Sequence, residues 1–250
     1  MKKHILFYFL IAIKWGSYGQ TIKKNVLFEI GEELHFKITY GIFNTSIASL
    51  KVNDTLINNI SNYKVIAHGE TTGLAKLFFN VNDNYFSVFS KNIKPVIFGR
   101  SVKEGDYYAE ESIYFNENKA LFVNNLDNTT EEINVSENIQ DIISAFYLFR
   151  GLPKEELLKK FSNYKIPMIY NDEGEFIFEL QYVGQETINT DIGQKKCFVF
   201  KPILHGIGRI FRSPNAITIW VTNDEKRIPV RVKAKIVVGT IYADLVNILK

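Results

Sequence analysis

The chain of 250 residues carries 30 Lys and Arg against 27 Asp and Glu, a formal net charge of +3, with 46% hydrophobic and 23% charged residues. Those proportions exclude a polytopic membrane protein, a disordered tail and a collagen-like fibre, and so small a charge argues against nucleic acid as the default partner. A single Cys excludes an intrachain disulfide.

The first residues read as an address. Lys2 and Lys3 precede an apolar run of nine residues, 5–13 (ILFYFLIAI). A membrane-spanning helix needs about 20 residues, so this run is a signal-peptide core rather than a span. Ser17 and Gly19 supply small residues at the −3 and −1 positions, which places cleavage before Gln20. Residues 1–19 are then a signal peptide and 20–250 a single exported β-rich domain without a transmembrane segment. No Cys stands at the cleavage point to carry a lipid anchor. Lys2, Lys3 and Lys14 all leave with the signal, and the remaining basic and acidic residues are equal in number.

Beyond it the chain alternates. Leu34, Phe36, Ile38 and Tyr40 interleave with His35, Lys37 and Thr39, the period of a half-buried strand. Gly41 to Asn44 turn the chain, and Ala48, Leu50 and Val52 resume the pattern. Similar strands are predicted at 63–71, 84–90, 93–102, 107–116, 120–124 and 131–135. A one-turn helix is predicted near 73–79. After the middle of the chain the pattern predicts strands at 165–170, 175–183, 186–190, 195–201 and 217–222. The strand at 227–238 puts Ile228, Val230, Val232 and Ala234 on one face and Arg227, Pro229, Arg231, Lys233 and Lys235 on the other. The last segment, 240–249, fits a strand or a short helix.

Helical period is rare. Ile139, Ile142, Ile143, Phe146 and Tyr147 mark one amphipathic helix, with Asn138 and Asp141 as a capping pair and Gly151 and Pro153 as its stop. A second, shorter helix is predicted at 153–161. The fold class is therefore mainly β: a curved antiparallel sheet, an open or partial barrel or two sheet halves, with one principal amphipathic helix.

Chemistry-bearing motifs are absent. His35, His68 and His205 are scattered without metal-ligand spacing, and Gly206, Ile207 and Gly208 form a flexible turn outside any βαβ unit. Glu110 and Glu111 face opposite sides of a strand, and Glu32 with Glu33 read as solvated surface. Cys197 lies in a strand-like run and reads as a buried structural thiol. No catalytic residue, metal or cofactor is expected. The basic stripe of Arg227, Arg231, Lys233 and Lys235 is a wet face or an anion site. The many aromatics are core, yet a concave sheet can leave an apolar cavity.

Four segments carry a resemblance. They are Gly31-Glu32-Glu33-Leu34, Gly69 through Ala75, Asp141 through Arg150, and Ile219 through Asp224 with Arg227 through Arg231. In this order the chain resembles the bacterial exported family known as domain of unknown function 3108, over roughly residues 28–245. Its charged segment 153–160 is an insertion against that pattern. The resemblance implies a periplasmic location in Gram-negative bacteria and no catalytic residues. In architecture alone the chain is similar to the half-barrel lipoprotein carriers of that compartment. These features together favour a non-catalytic envelope protein binding a lipid or lipoprotein acyl chain, with Tyr147, Arg150, Trp220, Asp224 and Arg231 as candidates for special roles. A structural reading of the same residues has Arg150 pairing with Asp224 and Trp220 in the core. The alternatives are an envelope hydrolase acting on glycan or lipid, or an adaptor with an envelope protein partner.

Overall fold

The alternating stretches pair in chain order into one antiparallel sheet. A computed structural model describes residues 28–158, 164–205, 216–235 and 239–250. The first half forms β1 (Glu33–Tyr40), β2 (Phe43–Ile57), β3 (Ile60–Thr71), β4 (Asn82–Ser90), β5 (Pro95–Glu104), β6 (Tyr107–Asn116), β7 (Lys119–Asn124) and β8 (Thr129–Asn134), with the one-turn helix α1 (Ala75–Phe78) between β3 and β4. The second half forms β9 (Tyr164–Met168), β10 (Phe176–Thr190), β11 (Gly193–His205), β12 (Ile217–Thr222), β13 (Pro229–Lys235) and β14 (Thr240–Leu249). Between the halves lie α2 (Ile142–Gly151) and α3 (Lys154–Leu157).

The strand order is β8-β7-β6-β5-β4-β3-β2-β1-β14-β13-β12-β11-β10-β9, a single sheet of 14 strands. The two runs join where β1 meets β14, from Glu33 opposite Leu249 to Tyr40 opposite Ile241. The edges, β8 and β9, are consecutive in the chain. The connection between them leaves one edge, crosses the concave side as α2 and returns at the other. This topology puts the helix inside the curve. The sheet does not close into a barrel, but its β9 edge is covered. Gln140 N donates to Pro167 O and Ile169 N donates to Gln140 O, both at 2.9 Å. The β8 edge instead presents Glu131 and Glu132, charges that discourage pairing with another chain.

The helix is buried nearly all round rather than on one stripe. Ile143, Ala145, Tyr147, Leu148, Phe149 and even Arg150 are inaccessible, and only Ile142 and Phe146 are half-buried. Burying each large apolar side chain contributes about 1.5–3 kcal/mol, so α2 is the nucleus of the core. It also starts one turn later than the sequence pattern predicts. Asn138 is not the cap; Asp141 is, because residues 139–141 are drawn out to pair with β9.

Other departures have local causes. The stretches 175–183 and 186–190 are one strand, β10, bent by a bulge between Tyr182 and Gly184. Residue 93 belongs to a turn, because Ile93 adopts a φ of 55° there. Segment 240–249 is a strand. Arg227 leaves the wet face entirely: the turn before Pro229 puts it at a φ of 44° and buries it. Residues 1–27, the end of the second helix beyond 158, the Gly206–Gly208 turn and residues 236–238 lie outside the described residues.

Candidate functional site

Between α2 and strands β9 to β12 the concave face leaves a cavity of about 540 Å³. Its depth is lined by apolar side chains from both sides. Ile142, Ala145, Phe146 and Phe149 face it from the helix, and Met168, Phe176, Phe178, Leu180, Phe200, Ile219 and Val221 from the sheet. Polar groups gather at one end only, on the β9–β10 connection with Tyr170, Asn171, Glu173 and Glu175. Glu175 pins that connection across the open edge, accepting from Ser136 N and Ser136 Oγ at 2.7 Å each. The volume falls within the usual range of small-molecule sites, about 300–1,000 Å³.

Tyr170 links the mouth to a polar wall on the neighbouring strands. Its ring lies 4.4 Å under the Arg100 guanidinium, and its hydroxyl sits 3.5 Å from that of Tyr85. Arg100 donates from Nε to Glu111 Oε2 at 2.6 Å, a cross-strand pair fixed by the β5–β6 register. Burial, then the neighbouring Tyr170, pushes the Tyr85 hydroxyl far above its ordinary value. Nearby, burial raises Asp83; burial and then the charge of Asp83 raise Glu104.

A raised carboxyl pKa means that the folded chain holds the proton more tightly than the unfolded one. Its stabilising effect is present at low pH and is lost as pH rises from the ordinary carboxylate range through the raised value. Asp83→Asn removes that dependence at one site. The expected result is that the variant gains stability over the parent as pH rises from about 4.5 to about 7, read as the difference in urea midpoints. A constant difference across that range refutes the assignment.

The far end of the helix is held by a clasp. Glu32, in the turn before β1, is buried and takes Arg150 in a two-pronged pair, Nη1 to Oε1 at 2.5 Å and Nη2 to Oε2 at 3.0 Å. This corrects the expectation that Glu32 is solvated and that Arg150 pairs with Asp224. Arg150 still reaches the β12–β13 turn, donating from Nε to Lys226 O at 3.0 Å. The turn answers: Arg227 Nη1 donates to the carbonyls of Arg150 and Leu152, capping the helix C-terminus. Asp224 shapes that turn, accepting from Thr222 Oγ1 at 2.7 Å and Arg227 N at 3.1 Å.

The other sequence candidates divide. Tyr147 is fully buried in the aromatic cluster with Phe28 and Phe89, and burial pushes its hydroxyl well above the ordinary value. Trp220 is opposite in face to the cavity residues Ile219 and Val221, and donates to Glu186 Oε2 at 2.7 Å. Arg231 pairs with Asp244 at 2.5 Å. Lys37 to Asp191 at 2.5 Å and Trp220 to Glu186 tie the β10–β11 hairpin to β1 and β12. None of the five lines the cavity. Cys197 is buried, and burial pushes its thiol up to about 11, an unreactive group. His35 and His68 meet Glu33 and Asn84 respectively, and no cluster of metal-ligating side chains exists among the described residues. Sequence reasoning missed Glu32, Arg100, Glu111 and Arg227. Only the Arg100–Glu111 pair left a signal, since both stand equally far from the turn at Gly105 and Asp106.

Comparison with solved structures finds this architecture in a second protein. A β-barrel-like protein of the domain of unknown function DUF1849 from Brucella abortus covers 88% of this chain and 98% of its own at 8% identity, with a TM-score of 0.59. A protein of YmcC-like fold from Bacteroides fragilis NCTC 9343 covers 89% and 97% at 11% identity, with a TM-score of 0.33. No curated protein matches the chain. The family model described as protein of unknown function (DUF3108) matches residues 35–246, and the chain belongs to that family.

Proposed function

We propose that the protein is a non-catalytic component of the bacterial envelope that holds an apolar chain, of a lipid or an acylated protein, in the cavity beneath α2. The observation that carries this reading is the cavity itself: apolar through its depth, polar only at the mouth. That division suits an amphipathic ligand whose tail is enclosed and whose head stays wet. The helix that roofs the cavity is clamped at both ends, by Asp141 at its start and the Arg150–Glu32 clasp at its finish. We assign Tyr147, Arg150, Trp220, Asp224 and Arg231 to this frame, as residues that hold the walls rather than touch the ligand. The signal-like N-terminus supports export, with residues 1–19 removed.

Native mass spectrometry and lipid extraction of protein purified from its own envelope test the proposal directly. The expected mass is that of a chain starting at Gln20 with a lipid bound. A clean, ligand-free mass with no extractable lipid counts decisively against it. In vitro, Ile219→Trp and, separately, Ala145→Leu fill the cavity. Each is expected to weaken a fluorescent fatty-acid probe about tenfold. Undiminished uptake by both variants places the probe elsewhere.

A further inference from the structure

We propose that the end of the sheet carrying the cavity mouth docks onto a zwitterionic lipid bilayer through side chains at the tips of its turns. The proposal rests on the cavity reading and adds the surface from which the ligand enters.

In an antiparallel meander the connections alternate between ends. The β1–β2, β3–β4, β5–β6 and β9–β10 connections therefore share one end, and the last of these is the cavity mouth. Large apolar side chains stand exposed there. Ile42 is 90% exposed, Phe43 66%, Leu74 76%, Leu77 80%, Phe78 89% and Phe79 55%. Every Phe more than half exposed among the described residues lies at this end. Tyr107 and Tyr108, also exposed, flank the group from the next turn, an amphipathic type favoured at membrane interfaces.

The turns are tied into one platform. Thr72 N donates to Thr45 O at 2.8 Å, Gly105 N donates to Asn80 O at 2.8 Å, and the Phe79 ring packs on Gly105. Monomeric proteins rarely leave such an apolar group in water without a use for it.

Its form and charge choose the occupant. The apolar residues sit at the tips of two adjoining turns, Ile42 and Phe43 on β1–β2 and Leu74 to Phe79 on β3–β4, at the end of the sheet rather than on either face. A fluid interface closes around such tips, whereas a protein partner or second copy needs a matched relief. Among the described residues at this end, Lys76, Lys103 and Lys235 stand against Glu104, Asp106, Asp127, Asp172 and Glu173, which leaves no basic excess to attract anionic lipid. Lys76 lies between Leu74 and Leu77, and its ammonium is 3.9 Å from Glu70 Oε2, which offsets its charge. The tips share their end of the sheet with the mouth, the side from which an acyl chain would pass from bilayer to cavity.

Flotation of the full protein with phosphatidylcholine vesicles tests this. The protein is expected to float, and added phosphatidylglycerol is expected not to strengthen binding. The double variant Leu77→Ser with Phe78→Ser, both on the surface, is expected to lose about tenfold per side chain in vesicle affinity. Its thermal midpoint and its uptake of the fatty-acid probe stay at the parent's values. A parent that stays with the dense fraction overturns the proposal. So does a double variant that floats like the parent, binding that requires phosphatidylglycerol, or a parent dimer that the variant dissolves. Ile219→Trp separates the two readings: it is expected to lose the probe and still float. A protein that floats yet never takes up the probe retains the docking surface and loses the cavity.

Discussion

Arg150→Met lowers the free energy of unfolding by about 3–5 kcal/mol in urea titration, because it strands Glu32 as an uncompensated charge in a dry site. Arg150 is wholly inaccessible and both carboxylate oxygens of Glu32 depend on it. The guanidinium also satisfies Lys226 O, so the loss reaches the turn that caps the helix through Arg227. Glu32→Gln removes the charge from the other side and falls in the same range. The double variant Arg150→Met with Glu32→Leu recovers most of the loss, since two apolar side chains leave no buried ion behind. Single substitutions costing less than about 1 kcal/mol would mean that the pair behaves as an exposed one, and the clasp would fall with it.

Asp141→Ala is expected to cost about 3 kcal/mol, through the opposite end of the same helix. Asp141 accepts from Ile143 N and Ser144 N at 2.8 Å each, and from Ser87 Oγ of β4 at 2.7 Å. Asp141 N in turn donates to Ser144 Oγ at 3.0 Å, completing the reciprocal cap. Alanine leaves these donors buried without an acceptor and cuts the tie from helix to sheet. Ser87→Ala removes one bond and costs about 1 kcal/mol. Burial raises the Asp141 carboxyl, and the bonds from Ser144, Ser87 and Ile143 pull it the other way. Asp141→Asn keeps the acceptor without the charge and is expected to hold stability within about 1 kcal/mol of the parent at neutral pH. Equal losses for Ala and Asn in urea titration would show that the charge, not the cap, holds the helix.

Much of the fold was legible because a sheet solvated on one side must alternate, and Leu34 to Tyr40 or Pro229 to Lys235 do so strictly. The principal helix showed through its period. Its onset did not, because Ile139 and Gln140 share that period while serving the β9 edge. The split of β10 was misread where Gly184 breaks the alternation at a bulge. The clasp was hidden for a different reason. Glu32 and Arg150 are 118 residues apart, and nothing local distinguishes a carboxylate that will be buried from its solvated neighbour Glu33. The cavity was legible only as a possibility of curvature, since its lining aromatics look in sequence like any other core.

The junction of β1 with β14 sets an order on the birth of the molecule. The run from β1 to β8 can pair as it leaves the ribosome, each hairpin closing on its neighbour. The run from β9 to β13 can do the same. Neither can join the other until β14, the last strand of the sheet in chain order, slots between β1 and β13. Until then the strands that will form the middle of the sheet are raw edges, and the helix has only one wall to pack against. Contacts spanning nearly the whole chain also close slowly. A protein built this way completes its core in one late step, when β14 brings the second wall to the helix.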